Sequence, residues 1–294
     1  MRWASFVLVL LAGCSWARDK KNTGTCADDR WEERCDGAMQ ALLGRPYCLR
    51  IPAGEGEKPL IIALHGYGAS PGYAASALGV GDAQGVYLAS PSGTPTARGH
   101  RFWNAFPACC GSSRDAPLPD DVAYLAALIA DVKAKHAISA VYVIGHSNGG
   151  FMAHRFACER PDLVRGIASI AGTLELSRCA PQSPVTVIQV HGDRDRIIPY
   201  GGGTVFTSTS TFASADATVA LWARAGACKS GPAIEAHADL VCESEAPGEE
   251  TEVRRYHGCA GDTKVELWHM RGVPHVPRFD RKAFGARLID ALIH

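Results

Sequence analysis

Residues 145–149, Gly-His-Ser-Asn-Gly, are the feature that most constrains how this chain can fold. They follow an apolar run at residues 141–144, which predicts a buried strand, and they precede a helix-like run at residues 151–158. A serine at such a tight strand-to-helix turn needs very small residues two positions before and two positions after it, because the turn brings those positions together. Both positions are glycine here. The pattern therefore predicts a nucleophile elbow that presents the hydroxyl of Ser147.

The rest of the chain alternates between strand-like and helix-like segments. Strands are predicted at residues 47–51, 60–64, 86–90, 166–170, 185–190 and 264–270. Helices are predicted at residues 120–136, 218–225 and 281–293. This alternation predicts an α/β domain with a mostly parallel central sheet and helices on both faces. Residues 228–259 show no clear period and are expected to be irregular.

Composition and charge bear on which kinds of molecule the protein could bind. The chain of 294 residues carries 30 basic and 30 acidic side chains, so its formal net charge is zero. That balance gives no indication of a nucleic-acid partner or of an acidic polymer substrate. A hydrophobic content of 47% is sufficient for a sizeable core.

The first residues are typical of an export signal. Residues 1–14 combine a basic start with an apolar run that is too short to span a bilayer, and they end at Cys14. This predicts a signal peptide of the bacterial lipoprotein kind, in which Cys14 is lipidated; the alternative is an ordinary signal cleaved near Ala17. Residues 15–34 are expected to be a polar tether, and residues 35–294 the catalytic domain. The protein is accordingly predicted to be extracytoplasmic, with a lipid anchor as its only contact with a membrane.

The cysteine count agrees with export. The chain has 11 cysteines, and setting Cys14 aside leaves an even number for disulfides in an oxidising compartment. The preferred pairs are Cys158 with Cys179 and Cys228 with Cys259. No Cys-x-x-Cys pair occurs, so these cysteines are not expected to bind a metal. No cofactor is expected.

A serine hydroxyl needs a base, and the base needs a carboxylate that holds it in the correct tautomer. In folds with such an elbow the order along the chain is serine, acid, histidine, each on a loop after a strand. Asp193 and Asp195 both follow the predicted strand that ends at residue 190. Asp195 lies further into the turn and is preferred, while Asp193 is expected to stabilise the turn.

The base and the oxyanion donors follow from the same ordering. Among the histidines after Asp195, His275 is the one placed in a turn between the last strand and the last helix. His65 precedes the serine and is expected to brace its loop. The backbone N–H groups of Asn148 and Tyr67 are the predicted oxyanion donors, because one begins the helix after the serine and the other follows an early strand.

Several motifs together resemble a known family. In chain order they are Leu64-His65-Gly66-Tyr67-Gly68, Trp103-Asn104, Cys109-Cys110-Gly111, Asp120-Asp121-Val122, the elbow through Gly150, His191-Gly192 with Asp195, Pro199-Tyr200, Gly202-Gly203, Trp222 and His275. From about residue 47 onward the chain resembles the secreted α/β-hydrolases of the polyhydroxybutyrate depolymerase and feruloyl esterase type.

The resemblance implies the α/β-hydrolase fold, hydrolysis of carboxylic esters and a triad of Ser147, Asp195 and His275. It also indicates Trp103 and Tyr200 as substrate-binding residues. One departure concerns residues 276–278, Val-Pro-Arg, where family members often carry Thr-Trp-Pro-Gly after the histidine. An aromatic wall beside the base is therefore missing.

The leading hypothesis is a secreted serine esterase without a cofactor. Its substrates are expected to be polyester oligomers or feruloyl and acetyl esters of polysaccharides. A serine peptidase of the same fold is the alternative enzyme. A surface lipoprotein that only binds ligands is the alternative without catalytic activity. The sequence does not indicate an oligomeric state.

Overall fold

The computed structural model describes residues 35, 37–110, 118–205, 208–242 and 248–294. These residues form a ten-stranded sheet and a separate two-stranded ribbon. The sheet strands are β1 (Ala38–Leu42), β2 (Arg45–Arg50), β3 (Lys58–Leu64), β4 (Tyr87–Pro91), β7 (Ile138–His146), β8 (Gly166–Ile170), β9 (Thr186–Gly192), β10 (Ser230–Ala238), β11 (Thr251–His257) and β12 (Val265–Met270). The ribbon pairs β5 (Thr94–Pro95) with β6 (Arg101–Phe102).

The sheet has the order β1-β2-β4-β3-β7-β8-β9-β12-β11-β10. Every pair from β4 through β12 is parallel, whereas the pairs at both ends are antiparallel. The central strands β3, β7, β8 and β9 are almost completely buried along their carboxyl halves. Strands with continuous apolar runs are buried in this way because helices cover both faces of a parallel sheet.

One expectation about this part of the chain is wrong. Within residues 228–259, the described segments Ser230–Ala238 and Thr251–His257 are not irregular, since they form β10 and β11, an antiparallel pair at the edge of the sheet. The nine residues of β10 are mostly exposed, and their pairing contains two register shifts. An exposed edge strand of this kind lacks the apolar alternation from which a strand is recognised in a sequence.

The helices flank the sheet. They are α1 (Pro71–Ala77), α2 (Asp121–Lys135), α3 (Asn148–Glu159), α4 (Ala215–Ala225) and α5 (Arg281–Ile293). Four of them begin after a side chain that accepts a hydrogen bond from the first turn, namely Ser70, Asp120, Ser214 and Asp280. Such caps satisfy backbone donors that would otherwise have no partner.

The hydrophobic core has two layers, one on each face of the sheet. One layer joins residues of α2, α3 and α4 to the sheet, and the other joins residues of α1 and α5 to it. No helix of the described ranges is both long enough and apolar enough to cross a membrane.

Disulfides connect elements within this frame. The pairs predicted from the sequence, Cys158–Cys179 and Cys228–Cys259, are both present. The structure adds Cys35–Cys48 and a bond between the neighbouring residues Cys109 and Cys110. The predicted lipidation site Cys14, the predicted signal and the predicted tether lie outside the described residues.

Candidate active site

Ser147 lies at the tight turn between β7 and α3. Its backbone has a φ of 53° and a ψ of −118°, a conformation that is rare for residues with a side chain. The flanking glycines are required by sterics. A Cβ on Gly145 would lie 2.1 Å from the carbonyl oxygen of Gly149, and one on Gly149 would lie 2.3 Å from that of Leu64. The sequence of the turn therefore fixes the strained geometry that lifts the hydroxyl above the sheet.

The imidazole of His275 contacts this hydroxyl. Its Nε2 lies 2.9 Å from the Oγ of Ser147, across 128 positions of sequence. Both side chains are largely buried but keep access to a cavity. His275 sits in the turn between β12 and α5, which is where the sequence places it.

Asp195 completes the line of three side chains. Its Oδ2 lies 2.6 Å from Nδ1 of His275, and its Oδ1 accepts hydrogen bonds of 2.8 Å from the backbone N–H groups of Ile197 and Ile198. Burial by itself raises the pKa of this carboxyl group. Hydrogen bonds from His191, His275 and Ile198 outweigh burial and hold the pKa well below its usual range. Asp195 is therefore an anion throughout the neutral range.

The neighbouring Asp193 points elsewhere. Its Oδ1 accepts a hydrogen bond of 2.8 Å from the backbone N–H of Gly272, and its Oδ2 lies 3.2 Å from Nε2 of His269. These contacts join the turn after β9 to the turn after β12. Asp193 is therefore structural, although it stabilises the contact between two turns and not its own turn as expected, and only Asp195 reaches His275.

The loop after β3 packs against the elbow. A Cβ on Gly66 would lie 3.5 Å from the Cβ of Ser147, so the two turns are in direct contact. Within this loop the N–H groups of Gly68 and Ala69 donate to backbone carbonyls, whereas no described group accepts from the N–H of Tyr67. Asn148 is the first residue of α3, and its N–H also lies outside the helical ladder. Tyr67 lines the same cavity as Ser147, and Asn148 directly follows the serine, so both residues lie next to it.

His65 braces this loop, as expected. Its Nδ1 lies 2.8 Å from the carbonyl oxygen of Gly66, and its Nε2 accepts a hydrogen bond of 2.9 Å from the N–H of Gly93. Burial lowers its pKa to about 4. With both nitrogens occupied, this neutral imidazole is a structural link between two loops.

A cavity of about 280 Å³ opens at Ser147. It is lined by Gly66, Tyr67, Ala69, Tyr73, Cys110, His146, Ser147, Ile197, Ile198, Val205, His275 and Val276. No carboxylate, ammonium or guanidinium group is among these lining side chains. Three of them, Tyr67, Ile197 and Val276, are between 43% and 49% exposed and form an apolar rim.

Trp103 and Tyr200, the predicted substrate-binding residues, do not line this cavity. Trp103 is completely buried, and its Nε1 donates to the carbonyl oxygen of His65 at 3.0 Å. Its backbone N–H donates to Oδ1 of Asn148, and its backbone carbonyl oxygen accepts from Nδ2 of the same side chain. The ring of Tyr200 packs 4.8 Å from that of His269. Because substrate cannot reach a closed core, the structure assigns Trp103 to the support of the elbow.

Sequence reasoning did not find His146, which holds the turn of the base. Its Nε2 donates to the backbone carbonyl oxygen of His275 at 2.9 Å, and its ring lies 5.2 Å from the imidazole of His275. Burial is the main reason that its pKa is lowered to about 4. The signal available in the sequence was its place directly before the serine, which the base has to reach.

His191 was also missed as a partner of the acid. Its Nε2 lies 3.4 Å from Oδ2 of Asp195, and both side chains are fully buried.

The described part of the chain contains no group of three or more His, Cys, Asp or Glu side chains arranged to hold a metal ion.

Comparison with known proteins places the chain among esterases. A family model described as phospholipase/carboxylesterase matches residues 49–216, more than half of the chain. A curated protein of Nocardia uniformis subsp. tsuyamanensis, described as "Putative esterase NocK", is 34% identical over 175 residues. The match covers 55% of this chain and 48% of that protein, so the chain spans about half the length of the curated relative it matches.

A solved esterase structure shares the fold. The acetyl xylan esterase from Aspergillus awamori is 16% identical with a TM-score of 0.55, over 87% of this chain and 99% of that chain. A thermostable esterase is 18% identical with a TM-score of 0.43, over 53% of this chain and 44% of that chain. At such identities the similarity concerns the fold alone. Since His275 lies beyond the segment matched by the family model, its assignment rests on its contact with Ser147.

Proposed function

Because the chain belongs to the phospholipase/carboxylesterase family, we propose that it is a serine esterase that hydrolyses carboxylic esters. The observation that carries the proposal is the continuous contact from Asp195 through His275 to Ser147, with distances of 2.6 and 2.9 Å. These are the distances at which an oriented imidazole can take a proton from a hydroxyl.

The geometry supports the following reaction. Ser147 Oγ attacks the ester carbonyl while Nε2 of His275 takes the hydroxyl proton. The oxyanion receives hydrogen bonds from the N–H groups of Tyr67 and Asn148, and its collapse expels the alcohol, which takes the proton from His275. Water then enters, His275 removes its proton, and the acyl-enzyme is hydrolysed by the same steps. Every proton in this cycle moves through His275.

The lining of the cavity supports neutral substrates. The lining residues that the structure describes carry no formal charge, which is unfavourable for an anionic acyl group, because burial of a charge without a partner is costly. The exposed rim of Tyr67, Ile197 and Val276 favours apolar surface next to the ester. Oligomers of polyhydroxyalkanoate-type polyesters, and feruloyl or acetyl esters of polysaccharides, are the proposed classes.

Export is part of the same proposal. Residues 1–14 are proposed as the signal, Cys14 as the lipidated residue and residues 35–294 as the catalytic domain. The disulfides of the described residues support an oxidising compartment, because such bonds are rare in reducing cytosol. An anchored esterase would act on ester substrates outside the cytoplasm.

A panel of matched substrates tests the proposal. Nitrophenyl esters with short and long acyl chains are compared with the corresponding anilides, using the natural protein and Ser147→Ala. We expect turnover of the esters that Ser147→Ala loses. Faster cleavage of the anilides would favour a peptidase, and absence of any turnover would favour a binding protein; either result would overturn the proposal.

A further inference from the structure

A chain of polar side chains runs through the core from α4 to the acid of the site. It consists of Trp222, His154, Gln189, His191 and Asp195, called the polar chain below. The first four side chains are at most 1% exposed and Asp195 is 5% exposed. They lie in the layer between the sheet and helices α3 and α4, where the surrounding residues are hydrophobic.

The orientation of Gln189 is fixed by its neighbours. Its Nε2 lies 2.7 Å from the backbone carbonyl oxygen of Gly172, which can only accept. The amide nitrogen therefore faces Gly172, and the amide oxygen faces Nε2 of His154 at 2.9 Å. Since that oxygen can only accept, Nε2 of His154 must carry the proton.

The far end of the polar chain agrees with this direction. A neutral histidine protonated on Nε2 accepts at Nδ1, and the indole nitrogen of Trp222 can only donate. The two atoms lie 3.1 Å apart. Burial lowers the pKa of His154 to about 4, so the neutral form that this pattern requires is the one present.

The tautomer of His191 follows in the same way. Its Nε2 lies 2.7 Å from the backbone carbonyl oxygen of Ile198, so this nitrogen carries a proton. Its Nδ1 faces the amide nitrogen of Gln189 at 3.4 Å and is the acceptor. The proton on Nε2 is therefore donated to Ile198, and Oδ2 of Asp195 lies 3.4 Å from the same nitrogen.

We propose that His191 is a positioning residue of the esterase reaction, held in one tautomer by Gln189, and that its Nε2–H fixes Oδ2 of Asp195 in line with His275. The proposal rests on the function proposed above. It explains why a row of buried histidines and an amide is present in an apolar layer, where each polar group without a partner would be destabilising. With His191, Oδ2 of Asp195 faces two imidazole nitrogens, while Oδ1 accepts from two backbone N–H groups.

The substitutions His191→Gln and His191→Asn introduce the same amide group at different distances. They therefore distinguish a hydrogen-bonding role of His191 from a role in packing alone. The amide nitrogen of His191→Gln falls near the position of the imidazole Nε2 and keeps a donor for Asp195. The shorter amide of His191→Asn does not reach it. We expect His191→Asn to lose about 10- to 100-fold in kcat with KM nearly unchanged, because a hydrogen bond to a charged group is lost. His191→Gln should recover most of that loss.

The pH profile gives a second readout. The groups that face the carboxylate of Asp195 are His191, His275 and two backbone N–H groups, and His275 also faces His146. Without the donor of His191, the charge of the Asp195 carboxylate is shared with fewer partners and attracts the imidazolium form of His275 more strongly. This change moves the rising limb of kcat/KM to higher pH in His191→Asn, and His191→Gln should restore its position.

Nitrogen-15 and proton NMR of the resting protein tests the same inference without turnover. We expect His191 to be protonated on Nε2 and not on Nδ1. The downfield proton shared by His275 and Asp195 should change in His191→Asn and return in His191→Gln. His257, whose side chain is 41% exposed and lies far from the polar chain in sequence, is the matched control. Its substitution by Asn and by Gln should alter neither the spectrum of the site nor kcat.

The outcomes are separable. An inactive natural protein would refute the proposed function, while NMR would still decide the role of His191. The inference would be overturned if His191→Asn and His191→Gln lost equal amounts of kcat and had the same pH profile. It would also be overturned if His191 were protonated on Nδ1. If His191→Asn does not fold, the tautomer in the natural protein and the activity of His191→Gln still decide it.

Discussion

Two Asp–His pairs connect the same two parts of the sheet, and only one of them reaches a serine. Asp193 pairs with His269, and Asp195 pairs with His275, so both acids follow β9 and both histidines belong to β12 or its following turn. The first pair has a separation of 3.2 Å and side chains that are 37% and 16% exposed. The second has a separation of 2.6 Å, and its side chains are 0% and 9% exposed.

The other nitrogen of each histidine makes the functional difference. Nδ1 of His269 lies 3.1 Å from a guanidinium nitrogen of Arg254, which can only donate. Nε2 of His275 lies 2.9 Å from the hydroxyl of Ser147, which can give up its proton. An acid beside a histidine is therefore not enough for a catalytic site. Burial and the group at the far side of the imidazole decide what the pair can do.

Removal of the hydroxyl is the strongest way to break this comparison. Ser147→Ala should lower ester hydrolysis by about 10⁴-fold or more, because triad members act as a unit. Circular dichroism should show an unchanged fold, since alanine is smaller than serine and leaves the backbone as it is. The matched control is Ser169→Ala, which removes a buried hydroxyl that bonds to Gly172. Activity of Ser147→Ala equal to that of the natural protein would contradict the assignment.

Exchange of each acid for its amide tests the two pairs directly. Asp195→Asn should lower kcat by about 10³- to 10⁴-fold, because the amide favours the wrong tautomer of the histidine. Asp193→Asn should change kcat by no more than about fivefold, since an exposed pair contributes little. Steady-state kinetics on one nitrophenyl ester measures both. Equal losses of kcat, or a larger loss for Asp193→Asn, would show that Asp195 is not the acid of the site.

The dependence of the rate on pH sharpens the comparison. The imidazole must be neutral to accept the proton of Ser147, so kcat/KM should fall about tenfold per pH unit on the acid side of the histidine's titration. His269→Gln, which alters the other pair, should leave this limb in place. A chelator should have no effect. Activity that rises as the pH falls, or that a chelator removes, would refute the serine mechanism.

The smallest expected effect concerns stability in acid. The folded pKa of Asp195 lies below its unfolded value of about 3.9, so ionised Asp195 stabilises the fold above that value. This contribution is lost as the pH falls toward the folded pKa. The free energy of unfolding of the natural protein and that of Asp195→Asn should therefore converge below about pH 4. Denaturation by urea at several pH values measures it, and a difference that widens in acid would contradict the account.

The sequence was sufficient for the parts of the site that are set by local structure. The elbow could be located because the turn allows only glycine at two positions, and the order of the chain then favoured Asp195 and His275 over their neighbours. The last helix, at residues 281–293, was predicted with its observed bounds.

Contacts between distant segments could not be predicted. Trp103 belongs to the core because the side chain of Asn148 and the carbonyl of His65 hold it there. The contact of His191 with Asp195 is local, but it needs the turn between them to fold back, and that turn is held by the N–H groups of Ile197 and Ile198, which donate to Asp195. The strand at Ser230–Ala238 exists because β11 offers it a partner, although its own residues are mostly exposed.

Covalent labelling tests the central claim most directly. The natural protein is treated with a reagent that phosphonylates activated serines, digested, and analysed by mass spectrometry, with Asp195→Asn and Asp193→Asn treated in parallel. The account predicts one adduct, on Ser147, which forms at nearly the natural rate in Asp193→Asn and far more slowly in Asp195→Asn. An adduct on another residue, or esterase activity that persists without any adduct on Ser147, would contradict it.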